Sequence, residues 1–321
     1  LYNAIHGAGG NEVPYADAGY YGEITYPSSS LIELMAHVAV RLGASEDKSL
    51  TSRALWRLDQ GMGGGKSHGL IGMYHLATNT AGLVGSDIGS QVMAQAAKIA
   101  GKGQVAPDLN NPHTVVLCCD NMTPGRGDKS LDGPATTLGE RFLWRLFDAE
   151  HARWDEYRHD TANKAMLKEA IQSVGRPVLI LIDEIMDYIR AATAEHQSDD
   201  DQDLVGMDMA FLRALLDTVN DAPNCVLIMV MIASDKDNIV LNERGSACHI
   251  ELDDLMIRNG RTATVTQATE FAEIIRRRLF ETIPDADKIA TLADTWHDQM
   301  GGRWRKDVFD RSGWFNKSEF K

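Results

Sequence analysis

Positive charge is scarce in this chain: 32 lysines and arginines stand against 46 aspartates and glutamates, a formal net charge of −14. A surface that gripped DNA along its length would be basic, because phosphate contacts supply most of the non-specific affinity. Direct DNA contact is therefore left to a local patch, for which Arg303, Trp304, Arg305 and Lys306 are the candidates, and protein partners suit the surface better. Long apolar runs are missing too. None approaches the ~20 residues of a membrane span, and the Gly-, Ala- and Tyr-rich start with its early acids does not read as a signal peptide. Cysteine is rare, and Cys118, Cys119, Cys225 and Cys248 lack metal-ligand spacing; they read as reduced, mostly buried thiols of a cytoplasmic protein. No internal repeat and no helicase motif series is present. The 321 residues suffice for one large α/β domain with a small appendage. The start at Leu1 without methionine and the polar end lead to the expectation of a fragment of something longer.

What the chain does have is a glycine-rich phosphate cradle. Gly61-Met62-Gly63-Gly64-Gly65-Lys66-Ser67 follows a strand-like stretch, Ala54–Leu58, and precedes Leu70, Ile71, Tyr74 and Leu76 at roughly helical spacing. A strand feeding a glycine turn that opens a helix is the setting a P-loop needs. Glycines let backbone N–H groups approach phosphates, and the helix N-terminus adds partial positive charge. Lys66 would reach the β- and γ-phosphates of ATP, and the Ser67 hydroxyl would complete a Mg²⁺ shell. The pattern is one residue short: Gln60 stands where a P-loop wants glycine, and Gly61 makes the turn. A flexible turn that happens to precede Lys-Ser is the plain alternative. His68 is grouped with this nucleotide-binding loop, although its chemistry suits helix packing or the surface better than catalysis.

A second motif lies downstream. Val178-Leu179-Ile180-Leu181-Ile182 is an uninterrupted apolar run ending in Asp183-Glu184, as suits a central parallel strand buried on both faces. Open α/β sheets bind ligands at the carboxyl ends of such strands. Asp183 would hold Mg²⁺, as a Walker B aspartate does, and Glu184 would polarise the attacking water. A third run, Val226–Ala233, ends at Ser234-Asp235. In additional-strand ATPases this strand lies between the two Walker strands and its polar tip senses the γ-phosphate, so Ser234 is the sensor candidate and Asp235 its substitute. A polar loop after a core strand explains either residue as well.

The order of elements predicts an α/β fold: a parallel sheet of the AAA+ P-loop type with helices on both faces, then a small helical lid. Residues 1–25 read as an N-terminal arm, 26–268 as the ATPase domain and 269–321 as the lid. Expected helices cover Ser30–Leu42, Ser90–Ala100, Thr137–Phe147, Ala162–Val174 and Asp208–Val219. A short helix near Leu252–Ile257 precedes a last strand at Thr262–Thr266, and lid helices fill Thr269–Thr282 and about Ala286–His297. Further expected strands and loops are His113–Cys119, Gly101–Asn111, Thr123–Pro134 and the acidic Gln197–Asp203. Arg258 and Arg261, ahead of the last strand, are placed to complete a neighbour's site as finger arginines, with Arg244 less well placed. Solvated surface arginines would look the same. Arg276-Arg277-Arg278 reads as a solvated helical face, and Gly301-Gly302-Arg303 as the start of a third lid helix with a sensor arginine.

Asp59-Gln60-Gly61-Met62-Gly63-Gly64-Gly65-Lys66-Ser67-His68 resembles the D-x-G-x-G-G-G-K-[ST]-H loop of large ATPases of phage-defence islands, of the BREX-associated kind, found beside DNA methyltransferases. Tyr26-Pro27, Leu181–Glu184 and Arg276-Arg277-Arg278-Leu279-Phe280 are similar to stretches of that family, so the likeness runs from about Tyr26 to Thr282. The short loop is a trait there, and members are much longer. The resemblance implies ATP binding, oligomeric assembly and antiviral defence with partner proteins, a DNA methyltransferase among the candidates. Three functions remain open: an ATP-hydrolysing motor or switch, a nucleotide-gated interaction module with little turnover, and a DNA translocase component.

Overall fold

Runs of apolar residues flanked by turn formers dictate a sheet buried on both sides. The structure, a computed structural model, describes residues 1–6, 14–58, 64–101, 108–194, 203–231, 241–267, 270–279, 288, 290–292 and 294–295. It divides into two units, Leu1–Phe271 and Ala272–Lys321. The first unit is built on five parallel strands: β1 (Leu55–Leu58), β2 (His113–Cys118), β3 (Val178–Asp183), β4 (Cys225–Val230) and β5 (Arg261–Ala263). Their order across the sheet is β2-β3-β4-β1-β5. β4 thus separates the strand that feeds the glycine loop from the strand that ends in Asp183, as the sequence predicts.

Alternation along the strands divides the core in two. Val178, Ile180 and Ile182 of β3 and Leu227 and Met229 of β4 join the helices Leu138–Leu146, Lys164–Gln172, Ile185–Ala194, Leu204–Asp221 and Glu243–Asn259. Leu179 and Leu181, with Val226, Ile228 and Val230, meet Ser29–Gly43, Lys66–Thr78 and Asp87–Ala100 on the other face. Both faces are therefore covered, which is why β3 and β4 read as unbroken apolar runs.

Two arginines, one fully buried and one partly so, close the ends and edges of this core. Arg41, fully buried, donates to the carbonyls of Ser49, Ser52, Val219, Asn220, Ala222 and Cys225, so it caps the helix Leu204–Asp221 and fixes the turn into β4. Arg145 donates to the Val116 carbonyl on the outer side of β2 and to Asp132 Oδ1 at 2.7 Å, which blunts that edge. The helix that carries Arg145 begins with a capping box, Thr137 with Glu140.

Several elements differ from expectation. Residues 14–24, expected within a non-periodic arm, hold a turn and the helix Ala18–Ile24, whose Tyr21 is fully buried against Lys66–Thr78. The helix expected near Leu252–Ile257 runs from Glu243 to Asn259; its buried positions include Gly245 and Cys248, which carry little apolar signal. β5 begins at Arg261 and ends at Ala263, and Val265 then turns into the core. The helices His151–Tyr157 and Ile185–Ala194 were not foreseen: the first buries only Trp154 and Tyr157, and the second starts directly after the acids of β3. The four cysteines are free and buried, as expected. No helix among the described residues is long and apolar enough to cross a membrane.

Candidate functional site

The carboxyl ends of β1 and β3 bring the two sequence motifs together. β1 runs into the glycine loop, of which Gly61 and Gly63 lie outside the described residues, and Gly65 then caps the helix Lys66–Thr78 with φ 84° and no side-chain cap. Only glycine takes that left-handed turn without strain. A helix N-terminus without a side-chain cap, with its partial positive charge, suits an anion. The segment after β5 clasps this turn. Thr266 Oγ1 donates to the Gly64 carbonyl at 3.3 Å, and Ser28 Oγ donates to the Val265 carbonyl at 2.5 Å. A Cβ on Gly69 would sit 2.8 Å from Val265, so the close approach of helix and segment requires glycine there.

Lys66 and Ser67 open the helix toward β3. Ser67 Oγ donates to Asp183 Oδ2 at 3.3 Å. Asp183 is 4% exposed, and its other oxygen, equally enclosed, has no hydrogen-bond partner. Burial raises the Asp183 pKa and Asp120 adds to the rise; the Ser67 hydrogen bond and Lys66 pull the other way. A buried carboxylate with an idle oxygen, beside a hydroxyl, is what a hard divalent cation completed by phosphate oxygens and water would use. No group of three or more His, Cys, Asp or Glu able to hold a metal occurs among the described residues. A cation here would thus need oxygens from outside the protein, and the donor set fits Mg²⁺ carried with a nucleotide.

Glu184 follows at the strand tip with φ 51°, a left-handed conformation that side chains other than glycine rarely adopt. Half-buried, its carboxyl is pushed above the ordinary carboxylate range by burial, then by Asp183, Asp120 and Asp187, with Lys66 opposing. Asp120, exposed in the turn after β2, and Asp187, one turn into the next helix, thus belong to the same electrostatic field. Sequence reasoning noted Asp120 only as a strand end.

The remaining candidates are spread wider. His68 turns its ring to Tyr21, 4.6 Å between centroids, and its Nε2 lies 2.9 Å from Thr25 Oγ1, which makes it a packing residue of the loop helix. Ser234 and Asp235 lie outside the described residues, as do Arg303, Trp304, Arg305 and Lys306. Arg258 is exposed in the last turn of Glu243–Asn259, with Nε donating to the Asp254 carbonyl at 3.2 Å. Arg261 is exposed too, but it begins β5 where the sequence had set it ahead of the strand. Arg244 pairs with Asp203. In the second unit Arg276 pairs with Glu273 on the helix Phe271–Leu279. Sequence reasoning missed two further features. Arg57, 6% exposed on β1, pairs with Asp253 of Glu243–Asn259 and so ties the loop strand to the helix bearing Arg258. Tyr188 and Asp208 form a buried hydrogen bond behind Glu184. A single charged residue inside an apolar run was the only signal for either.

A parallel α/β sheet with this loop at its carboxyl edge is compatible with nucleotide binding. Comparison with curated proteins finds no match. The family model described as the DUF499 N-terminal domain matches residues 7–250, from before the glycine loop to within the helix Glu243–Asn259, and the chain therefore belongs to the DUF499 N-terminal domain family.

Proposed function

We propose that this chain binds Mg²⁺-ATP at the carboxyl ends of β1 and β3 and hydrolyses it. The observation that carries the reading is the meeting of Ser67 with the buried, half-satisfied Asp183 at the start of a helix that has no side-chain cap. In this reading the loop amides and Lys66 hold the β- and γ-phosphates, and Ser67 and Asp183 hold the cation. A bound Mg²⁺ would supply charge neutralisation at the phosphate oxygens. Glu184 accepts a hydrogen bond from the attacking water and aims it at the γ-phosphorus, so positioning and electrostatics carry most of the catalysis. Ser234 would report the γ-phosphate, and Arg258 or Arg261 would serve a neighbouring copy.

The sheet order supports an ATPase of the AAA+ type. A place in a phage-defence complex, with self-association and a methyltransferase as partner, is supported by the likeness of the glycine loop alone. The direct test is titration with a fluorescent ATP analogue in Mg²⁺ and in EDTA, followed by steady-state phosphate release. Binding that ignores EDTA would count against Ser67 and Asp183 as cation ligands. Binding unchanged by Lys66→Ala would end the reading.

A second reading keeps the site and drops the turnover: a nucleotide-gated interaction module. The Glu184 pKa, raised by burial and by three neighbouring acids, makes the carboxylate a stronger base but leaves a smaller fraction of it deprotonated at a given pH, which limits turnover on the acid side. Phosphate release that stays at background from acid to alkaline pH, with binding intact, would select this module.

A further inference from the structure

We propose that Tyr188 and Asp208 are the positioning pair that holds Glu184 in its working conformation, an inference that rests on the reading of Glu184 as the residue that orients water. A left-handed glutamate is disfavoured by contact of its Cβ with the backbone, and such conformers persist where the surroundings over-determine them. The surroundings here are specific. On one side Glu184 is continuous with β3, whose Ile182 is fully buried. On the other, Asp187 N–H donates to the Glu184 carbonyl at 3.0 Å, and Ile185, Met186 and Tyr188 are all buried within the first turn of the next helix.

Tyr188 ties that turn to another helix by a directional contact. Its hydroxyl donates to Asp208 Oδ2 at 2.6 Å, and Asp208 is itself 4% exposed in the helix Leu204–Asp221. The other Asp208 oxygen accepts the Leu138 N–H at 2.8 Å, at the start of Leu138–Leu146. Arg141 of that helix, fully buried, lies 5.9 Å from the Tyr188 ring centre, with its Nε 3.6 Å from Asp132. Three helices thus converge on one phenol a single turn from Glu184. Ile189, Val205 and Met209 enclose the pair in apolar surface, where a hydrogen bond is hard for water to replace. Packing alone would ask only for a ring at position 188. The hydroxyl adds the rotational setting of the helix turn, and through it the setting of the Glu184 backbone.

The test compares Tyr188→Phe with Asp208→Asn in the full chain. Phenylalanine keeps the ring and loses the tether. Asparagine can still accept from Leu138 and donate to the Tyr188 oxygen, so it keeps both contacts. Tyr188→Phe is expected to lower kcat for ATP about tenfold with KM within about twofold, while Asp208→Asn stays within about threefold of the parent. Hydrogen exchange gives a readout independent of activity: Tyr188→Phe should speed exchange at residues 184–189 and leave residues 178–182 unchanged. Parental kcat and exchange in Tyr188→Phe would overturn the proposal, as would faster exchange spread evenly over the sheet. If the parent hydrolyses no nucleotide, the proposed activity falls, and exchange alone decides whether the pair sets Glu184.

Discussion

Ser67 Oγ and Asp183 Oδ2 stand 3.3 Å apart across 116 residues of sequence, and the second oxygen of Asp183 beside them bonds to nothing. A group held this way costs the free protein stability. With a folded pKa raised above its unfolded value, Asp183 is stabilising in its protonated form and loses that contribution as pH rises through the folded pKa. Asp183→Asn is therefore expected to raise the Tm of the nucleotide-free protein at pH 7.5 and to lose Mg²⁺-dependent ATP binding. Calorimetry and a nucleotide titration check the two halves, and a lower Tm in the variant would contradict the electrostatic argument.

Lys66→Ala should abolish ATP binding while the fold survives. Lys66 is enclosed at the helix start, and its charge opposes the rise in pKa of both Asp183 and Glu184. Circular dichroism and Tm should stay near parental values. An affinity equal to that of the parent would remove the phosphate role of the loop.

Glu184→Gln should keep ATP bound and slow hydrolysis by ~10²-fold or more, the size expected when a positioned base is lost. The amide is nearly isosteric, so the left-handed turn at the strand tip should remain. Hydrolysis at the parental rate would assign the water to another residue and strengthen the interaction-module reading.

These predictions concern a site whose parts were unequally legible in the sequence. The glycine loop and the strands β3 and β4 could be read because both faces of the sheet are covered, which leaves continuous apolar runs that end at the ligand edge. The helix Glu243–Asn259 could not be bounded, because glycine, cysteine and widely spaced leucines mark its buried face. Arg261 moved from a helix end to a strand start for the same reason. The left-handed Glu184 has no sequence signal, since nothing in the chain marks a non-glycine residue for positive φ. Asp208 was read as the polar start of a helix, whereas the helix begins at Leu204 and buries Asp208 against Tyr188.

Asp208 gives the protein a pH-dependent stability whose sign follows from its burial. Desolvation pushes its pKa up from 3.8 to about 6, against the pull of Tyr188, the Leu138 N–H and Arg141, with Glu140 adding to the rise. The protonated form is favoured on folding, so this contribution is full below about pH 4 and is lost as pH rises to about 6. Asp208→Asn should remove that component. Denaturation midpoints between pH 4 and 7 should then change less with pH than those of the parent, and identical slopes would show that Asp208 does not titrate there.

Arg41 offers a test of the fold apart from the site. Its guanidinium serves six backbone carbonyls, and no ion pair to it occurs among the described residues. Arg41→Met would fill similar volume and orphan those carbonyls at the turn into β4, for a loss of about 3 kcal/mol or more. Urea denaturation measures this, and a loss below about 1 kcal/mol would mean that water replaces the arginine.

Assembly is tested last, through complementation. Arg258 and Arg261 are exposed near the β5 edge, where the outer face of Glu243–Asn259 also exposes Ile250 and Ile257. A guanidinium that reaches a neighbour's γ-phosphate is worth ~10³-fold or more in rate, and it serves an active site in which its own Lys66 takes no part. Activity per subunit should therefore rise with protein concentration. An Arg258→Ala, Arg261→Ala double variant and Lys66→Ala should each be nearly inactive alone. Mixed, they should regain part of the activity, because some interfaces pair an intact loop with an intact arginine donor. Sedimentation at the assay concentration must show oligomers in the same range. A protein that stays monomeric and fully active at every concentration would leave both arginines as surface residues.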